Sequence, residues 1–79
     1  MDKYVQILLD DFAAEFHVNP DYRFSAQKYM LRTLMNLWAV ADDLDSAVDR
    51  IRMIALDAGL RPREIEDTIR HFDSKVAGK

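Results

Sequence analysis

Apolar residues in the opening segment, DKYVQILLDDFAAEF, return at helical spacing. Tyr4, Leu8, Phe12 and Phe16 stand four residues apart, and Val5 and Leu9 widen their stripe, while Asp10, Asp11 and Glu15 lie away from it. That period predicts an amphipathic helix over about 2–16. HVNPDYRFS breaks the pattern and reads as a connector, in which Asn19 ahead of Pro20 caps a short helical turn. Ser25 is the expected N-cap of a second helix over about 26–41. There the polar residues Lys28, Arg32 and Asn36 form one narrow stripe, and Tyr29, Met30, Leu31, Leu34, Met35, Leu37, Trp38 and Val40 occupy nearly all the rest. A helix apolar around most of its circumference has to be covered on several sides, so this segment is the expected centre of the fold, with Trp38 buried in it.

Asp42 and Asp43 mark the next break and offer a cap. A third helix, over about 44–58, turns Leu44, Val48, Ile51, Ile54, Ala55 and Ala58 inward, with Asp45 in its first turn suiting the positive end of the helix dipole. Gly59 then stands where a left-handed residue ends a helix, followed by the apolar Leu60. Pro62 opens a fourth helix over about 62–75, with Ile65, Ile69, Phe72 and Val76 on its core face. Its acids Glu64, Glu66 and Asp67 come early, and Arg70, His71 and Lys75 come late, as the dipole favours. With helical spacing throughout and no strand-like alternation, the chain is expected to be all-α: one small, four-helix bundle-like domain spanning 1–79.

Composition narrows the functional classes. Seventy-nine residues make one domain with a modest core, and the absence of cysteine removes disulfides and thiolate metal sites. A net charge of −3 is the wrong sign for a general nucleic-acid binder, whose affinity rests on phosphate neutralisation. The acidic start of the chain fits neither a signal peptide nor a transit sequence, and no apolar run is long enough to cross a bilayer. A cytoplasmic protein without a membrane partner is expected.

Catalytic chemistry has little to stand on. His17 and His71 form no metal-ligand pair, the two glycines are isolated, and Ser25 and Ser46 lack nucleophile-elbow glycines. The aspartates of ADDLDSAVD lack the glycine and terminal glutamate of a calcium loop. Asp45-Ser46 is similar to the Asp-Ser-Leu of acyl carrier proteins, but Ala47 follows it here. No enzyme activity, cofactor, metal or small-molecule substrate is therefore expected.

The stretch IALDAGLRPREIEDTIRHF, residues 54–72, resembles a helix-turn-helix, and GLRPREI resembles the turn and recognition helix of LuxR-type response regulators. The small Ala55, the turn glycine Gly59 and the anchors Leu60, Ile65 and Ile69 carry the resemblance. It implies that Arg61, Arg63, Glu66, Asp67 and Arg70 face a DNA major groove, with Arg61, Arg63 and Arg70 as the nucleic-acid contacts. Arg61 departs from the usual Ser or Thr cap, and Glu66 and Asp67 put negative charge where phosphate would lie. A glycine-closed helical hairpin needs the same small and apolar positions for packing alone.

The favoured expectation is a small protein-interaction module: an adaptor, an inhibitor or a subunit of a complex. Its partner is another protein or a second copy in a homodimer. The expected contact residues are Tyr29, Met30, Met35 and Trp38 on the second helix and Arg63, Asp67 and Arg70 on the fourth. Methionine and aromatic side chains adapt to partner surfaces, and mixed charge suits specific protein contact. The alternative is a DNA-binding accessory protein using residues 54–72.

Overall fold

Helix ends set by local chemistry divide the described residues into four long helices. A computed structural model describes residues 3–78. Helix α1 spans Lys3–Glu15, a 3-10 turn covers Pro20–Tyr22, α2 spans Arg23–Val40, α3 spans Leu44–Asp57 and α4 spans Pro62–Ala77. No strand occurs among the described residues, so the domain is all-α. Residue 2, expected as the first of α1, lies outside the described residues.

Asn19 starts the 3-10 turn as its sequence position predicts, its side-chain oxygen accepting from the Asp21 backbone N–H at 2.9 Å. That turn runs directly into α2, and here the expected cap fails: α2 begins at Arg23, and Ser25 lies inside it. The preceding turn already organises the entry, so no serine cap is required. Asp43 does cap α3, accepting from the Ser46 backbone N–H at 3.2 Å and the Ser46 hydroxyl at 2.8 Å. These bonds, the hydroxyl's first, hold the Asp43 carboxyl below its ordinary pKa.

The α3–α4 turn closes through two backbone bonds. Gly59 N–H donates to Leu56 C=O at 3.1 Å, and Leu60 N–H donates to Ala55 C=O at 3.0 Å. This is the Schellman pattern, which requires a left-handed residue and is accompanied by an apolar contact. Gly59 supplies the positive φ of 109° and Leu60 is buried. Pro62 begins α4, and Glu64 reaches back to accept the Arg61 backbone N–H at 3.0 Å.

Helix α2 packs against α1, α3 and α4, whereas the α1 and α4 backbones do not approach one another closely among the described residues. Its central place follows from Ala26, Met30, Leu34 and Leu37, which are buried on one broad face. Val5, Leu9, Phe12 and Phe16 join them from α1, Ala47, Val48, Ile51 and Ala55 from α3, and Ile65, Ile69 and Phe72 from α4. Leu8, Leu44, Ile54, Ala58 and Val76 pack partly buried around this core. Two buried hydroxyls are satisfied within their own helices: Thr33 donates to Tyr29 C=O and Thr68 to Glu64 C=O.

Two aromatic assignments are corrected. Tyr4, expected on the core stripe of α1, is 66% exposed. The buried face is centred on Val5, Leu9, Phe12 and Phe16, and Tyr4 sits roughly 100° from that centre at 3.6 residues per turn. Trp38, expected inside, is 38% exposed. The core side of α2 is occupied by Met30, Leu34 and Leu37, and Trp38 falls on its outer flank.

Candidate interaction surface

Helices α2 and α4 are joined by a polar ladder with matched steps of four residues. Arg23 on α2 clamps Glu64 on α4, donating from Nε to both carboxylate oxygens at 3.1 Å and from Nη2 to Oε1 at 2.9 Å. Arg23 Nη2 also donates to Gly59 C=O at 3.1 Å. One turn further, the Gln27 side-chain amide donates to Glu64 C=O and to the Thr68 hydroxyl, each at 3.3 Å. Because the pairs advance together along both helices, α2 and α4 run in the same direction at this seam.

The outer side of the seam is a groove. Phe24, Gln27, Lys28 and Leu31 line it from α2, and Asp67, Thr68, His71 and Lys75 from α4. Phe24 is 70% exposed, and the Lys28 ammonium lies 4.9 Å from its ring centroid. Phe24, Leu31 and Trp38 are spaced by sevens, a spacing that drifts only about 20° per step on a straight helix, so they share one stripe. Half-buried Met35 adjoins that stripe.

The expected contact residues of α2 therefore separate. Met35 and Trp38 lie along the outer flank. Met30 is fully buried and contributes to the core, so it is corrected from a contact residue to a packing residue. Tyr29 faces the other way, its ring within 5.5 Å and 5.9 Å of the Phe12 and Phe16 centroids. Its hydroxyl donates to Glu15 Oε2 at 3.4 Å; burial, followed by the Glu15 charge, pushes its pKa up. Tyr29 thus ties α2 to α1.

Arg63, Asp67 and Arg70 on α4 are all exposed, as is Arg61 beside the turn. Their surroundings are mixed in charge. Arg70 pairs with Asp67 at 3.3 Å. Arg52 on α3 holds Glu66 through Nε at 3.0 Å and also pairs with Asp49. The hydrogen bonds to Glu66 are the main reason the Arg52 guanidinium is held even more firmly protonated than usual. Arg63 makes no ion pair among the described residues.

Sequence reading missed Phe24 as a surface feature because it was assigned to a connector, and it did not link Lys28, placed on the polar stripe, to it. The seven-residue spacing of Phe24, Leu31 and Trp38 was the signal that places Phe24 on their stripe. It also missed the Arg23–Glu64 link, which joins positions forty-one residues apart and has no local signature. No group of three or more His, Asp or Glu is placed to hold a metal ion among the described residues. No helix among them is long and apolar enough to cross a membrane. No family model, curated protein or solved structure matches this chain.

Proposed function

We propose that the protein is a non-catalytic interaction module that binds another protein through the outer flank of α2 and the adjoining face of α4. The observation that carries this reading is the exposure of Phe24 at 70% and Trp38 at 38% on one stripe of the helix that otherwise builds the core. Large aromatic side chains aligned on one side of a rigid helix suit a hot spot, where a few buried anchors supply most of the binding energy. The mixed-sign residues Arg63, Asp67 and Arg70 suit the polar rim of such a contact.

A second reading keeps residues 54–72 as a DNA-binding helix-turn-helix, supported by the tight turn at Gly59 and by exposed Arg61 and Arg63 at the start of α4. Glu66 and Asp67 weigh against it, because both project carboxylates from the same helix near where phosphate would lie.

The discriminating experiment is affinity capture from the native host with wild type, Phe24→Ala and Trp38→Ala side by side, alongside duplex-DNA titration of the purified chain. The module reading expects a protein recovered by wild type and lost in the aromatic variants, with weak duplex binding. Retention of the same proteins by all three variants, together with tight salt-sensitive duplex binding, would replace it with the DNA reading.

A further inference from the structure

From the charge and shape of the α2–α4 groove, we infer that it seats an acidic amphipathic helix of a partner protein, apolar side on Phe24 and Leu31 in the groove and on Trp38 beyond its end along the same α2 stripe, with carboxylates toward Lys28 and Lys75. The inference rests on the interaction-module reading and adds the chemistry of the partner.

Three observations specify the occupant. The first is length and periodicity. From position 24 to position 38 the stripe rises about 21 Å at 1.5 Å per residue, the span of four turns of a docked helix. Apolar residues at seven-residue spacing form a seam that another helix's own i, i+3, i+4, i+7 anchors can pack along. The second is shape: α4 runs beside α2 in the same direction and supplies a second wall, through Asp67, Thr68, His71 and Lys75. The third is charge. In a chain of net charge −3, the groove is lined by Lys28 and Lys75 with His71, against the single carboxylate of Asp67, which is already engaged by Arg70. A basic helix would meet these cations unfavourably, whereas carboxylates can draw Lys28 from the Phe24 face to the rim and free the ring for apolar contact.

A second copy of this chain meets the charge requirement but not the geometry. Its α1 carries exposed Ile7, Asp10, Asp11 and Glu15. However, α1 packs on the Tyr29 side of α2, and positions 29 and 31 are two residues, about 200°, apart around that helix. Surfaces on nearly opposite flanks do not face each other across one compact two-fold seam; they favour a head-to-tail contact that builds a ring or a filament. A separate partner avoids that.

The test is selection from a displayed library of randomised 15-residue amphipathic helical peptides on the intact protein, with the best binder then synthesised and titrated. Enriched peptides should carry Asp and Glu beside an apolar stripe, and binding should shift Trp38 emission to the blue. Phe24→Ala, and separately the Lys28→Glu/Lys75→Glu pair, should each weaken binding at least tenfold. Raising the salt concentration should weaken the wild-type complex. Circular dichroism of the variants keeps a folding defect distinct from a lost contact. Enrichment of basic or neutral peptides, no enrichment, or binders insensitive to these variants would overturn the inference. So would concentration-dependent oligomers that are abolished by Phe24→Ala, which would assign the groove to a second copy. Failure here combined with aromatic-dependent capture of a host protein would still leave the broader module reading standing.

Discussion

Arg23 and Glu64 join the start of α2 to the start of α4, with Nη2 2.9 Å from Oε1 and the two side chains 23% and 21% exposed. The same guanidinium reaches Gly59 C=O, and the same carboxylate caps the Arg61 N–H, so one pair fixes the turn, the cap and the interhelical seam together. Arg23→Ala should destabilise the fold by about 1.5 kcal/mol, the worth of a charge-assisted hydrogen bond discounted for partial exposure. Chemical denaturation of the two proteins measures it. A change indistinguishable from zero would mean that the pair adds nothing beyond its solvated alternatives.

That pair also sets an acid limb. Hydrogen bonds from Arg23 are the largest influence on the Glu64 carboxyl and, outweighing burial, hold its pKa below the ordinary value. A carboxyl whose folded pKa is depressed contributes stability above its unfolded pKa, about 4.3, and loses that contribution as the pH falls through the folded value. The stability gap between wild type and Glu64→Gln should therefore be full at neutral pH and close progressively below about pH 4.3. A gap that widens on acidification would contradict the assignment.

Exposure separates Trp38 from Met30, although both are large residues on the same helix. Met30 is 0% exposed and should cost about 2–5 kcal/mol when cut to alanine, through lost burial and the cavity left behind. Trp38→Ala should cost well under the roughly 3–5 kcal/mol of a buried tryptophan. Its emission in the free protein should lie between the buried and the solvated limits. Thermal denaturation of the two variants against wild type gives the ordering, and equal losses would return Trp38 to the core.

Trp38 also shows where sequence reading stops. The periodicity of α1, α3 and α4 identified Phe12, Ile51, Ile69 and Phe72 as inward because polar residues marked the opposite sides. In α2 the polar marks are few, so apolar character alone did not reveal that Trp38 turns outward while Met30 and Leu34 turn in. Local chemistry was more legible: Asn19, Asp43 and Gly59 each act within a few residues of themselves. The groove and the Arg23–Glu64 clamp depend on how α2 meets α4, and no short window contains that relation.

Gly59 tests the turn. Its φ of 109° is a conformation that L-residues resist, and an added Cβ would meet only the Val18 Cβ, at an ordinary 3.9 Å. Gly59→Ala should thus destabilise through the backbone and not through a clash, by roughly 1–2 kcal/mol. A chemically synthesised chain with D-alanine at position 59 should recover most of that loss, since its preferred φ is positive. Equal destabilisation by both alanines would point to crowding, contrary to the space around the residue.

The outer face of α4 makes the final prediction. Arg61, Arg63 and Arg70 are exposed cations, but Glu66 and Asp67 stand among them, Glu66 tied to Arg52 and Asp67 to Arg70. Duplex affinity grows with the number of phosphates neutralised, and nearby carboxylates oppose that gain. The wild-type chain should bind duplex DNA weakly and with a shallow salt slope, and Arg63→Ala should leave that slope almost unchanged. Neutralising the acids in Glu66→Gln/Asp67→Asn frees Arg52 and Arg70 and should raise low-salt duplex binding severalfold, with a steeper loss as salt is added. Fluorescence anisotropy of a labelled duplex over a salt series measures all three proteins together. If the wild type already binds tightly, selectively and with a steep slope that Arg63→Ala flattens, the carboxylates do not disable this face, and the DNA-binding reading takes precedence over protein contact.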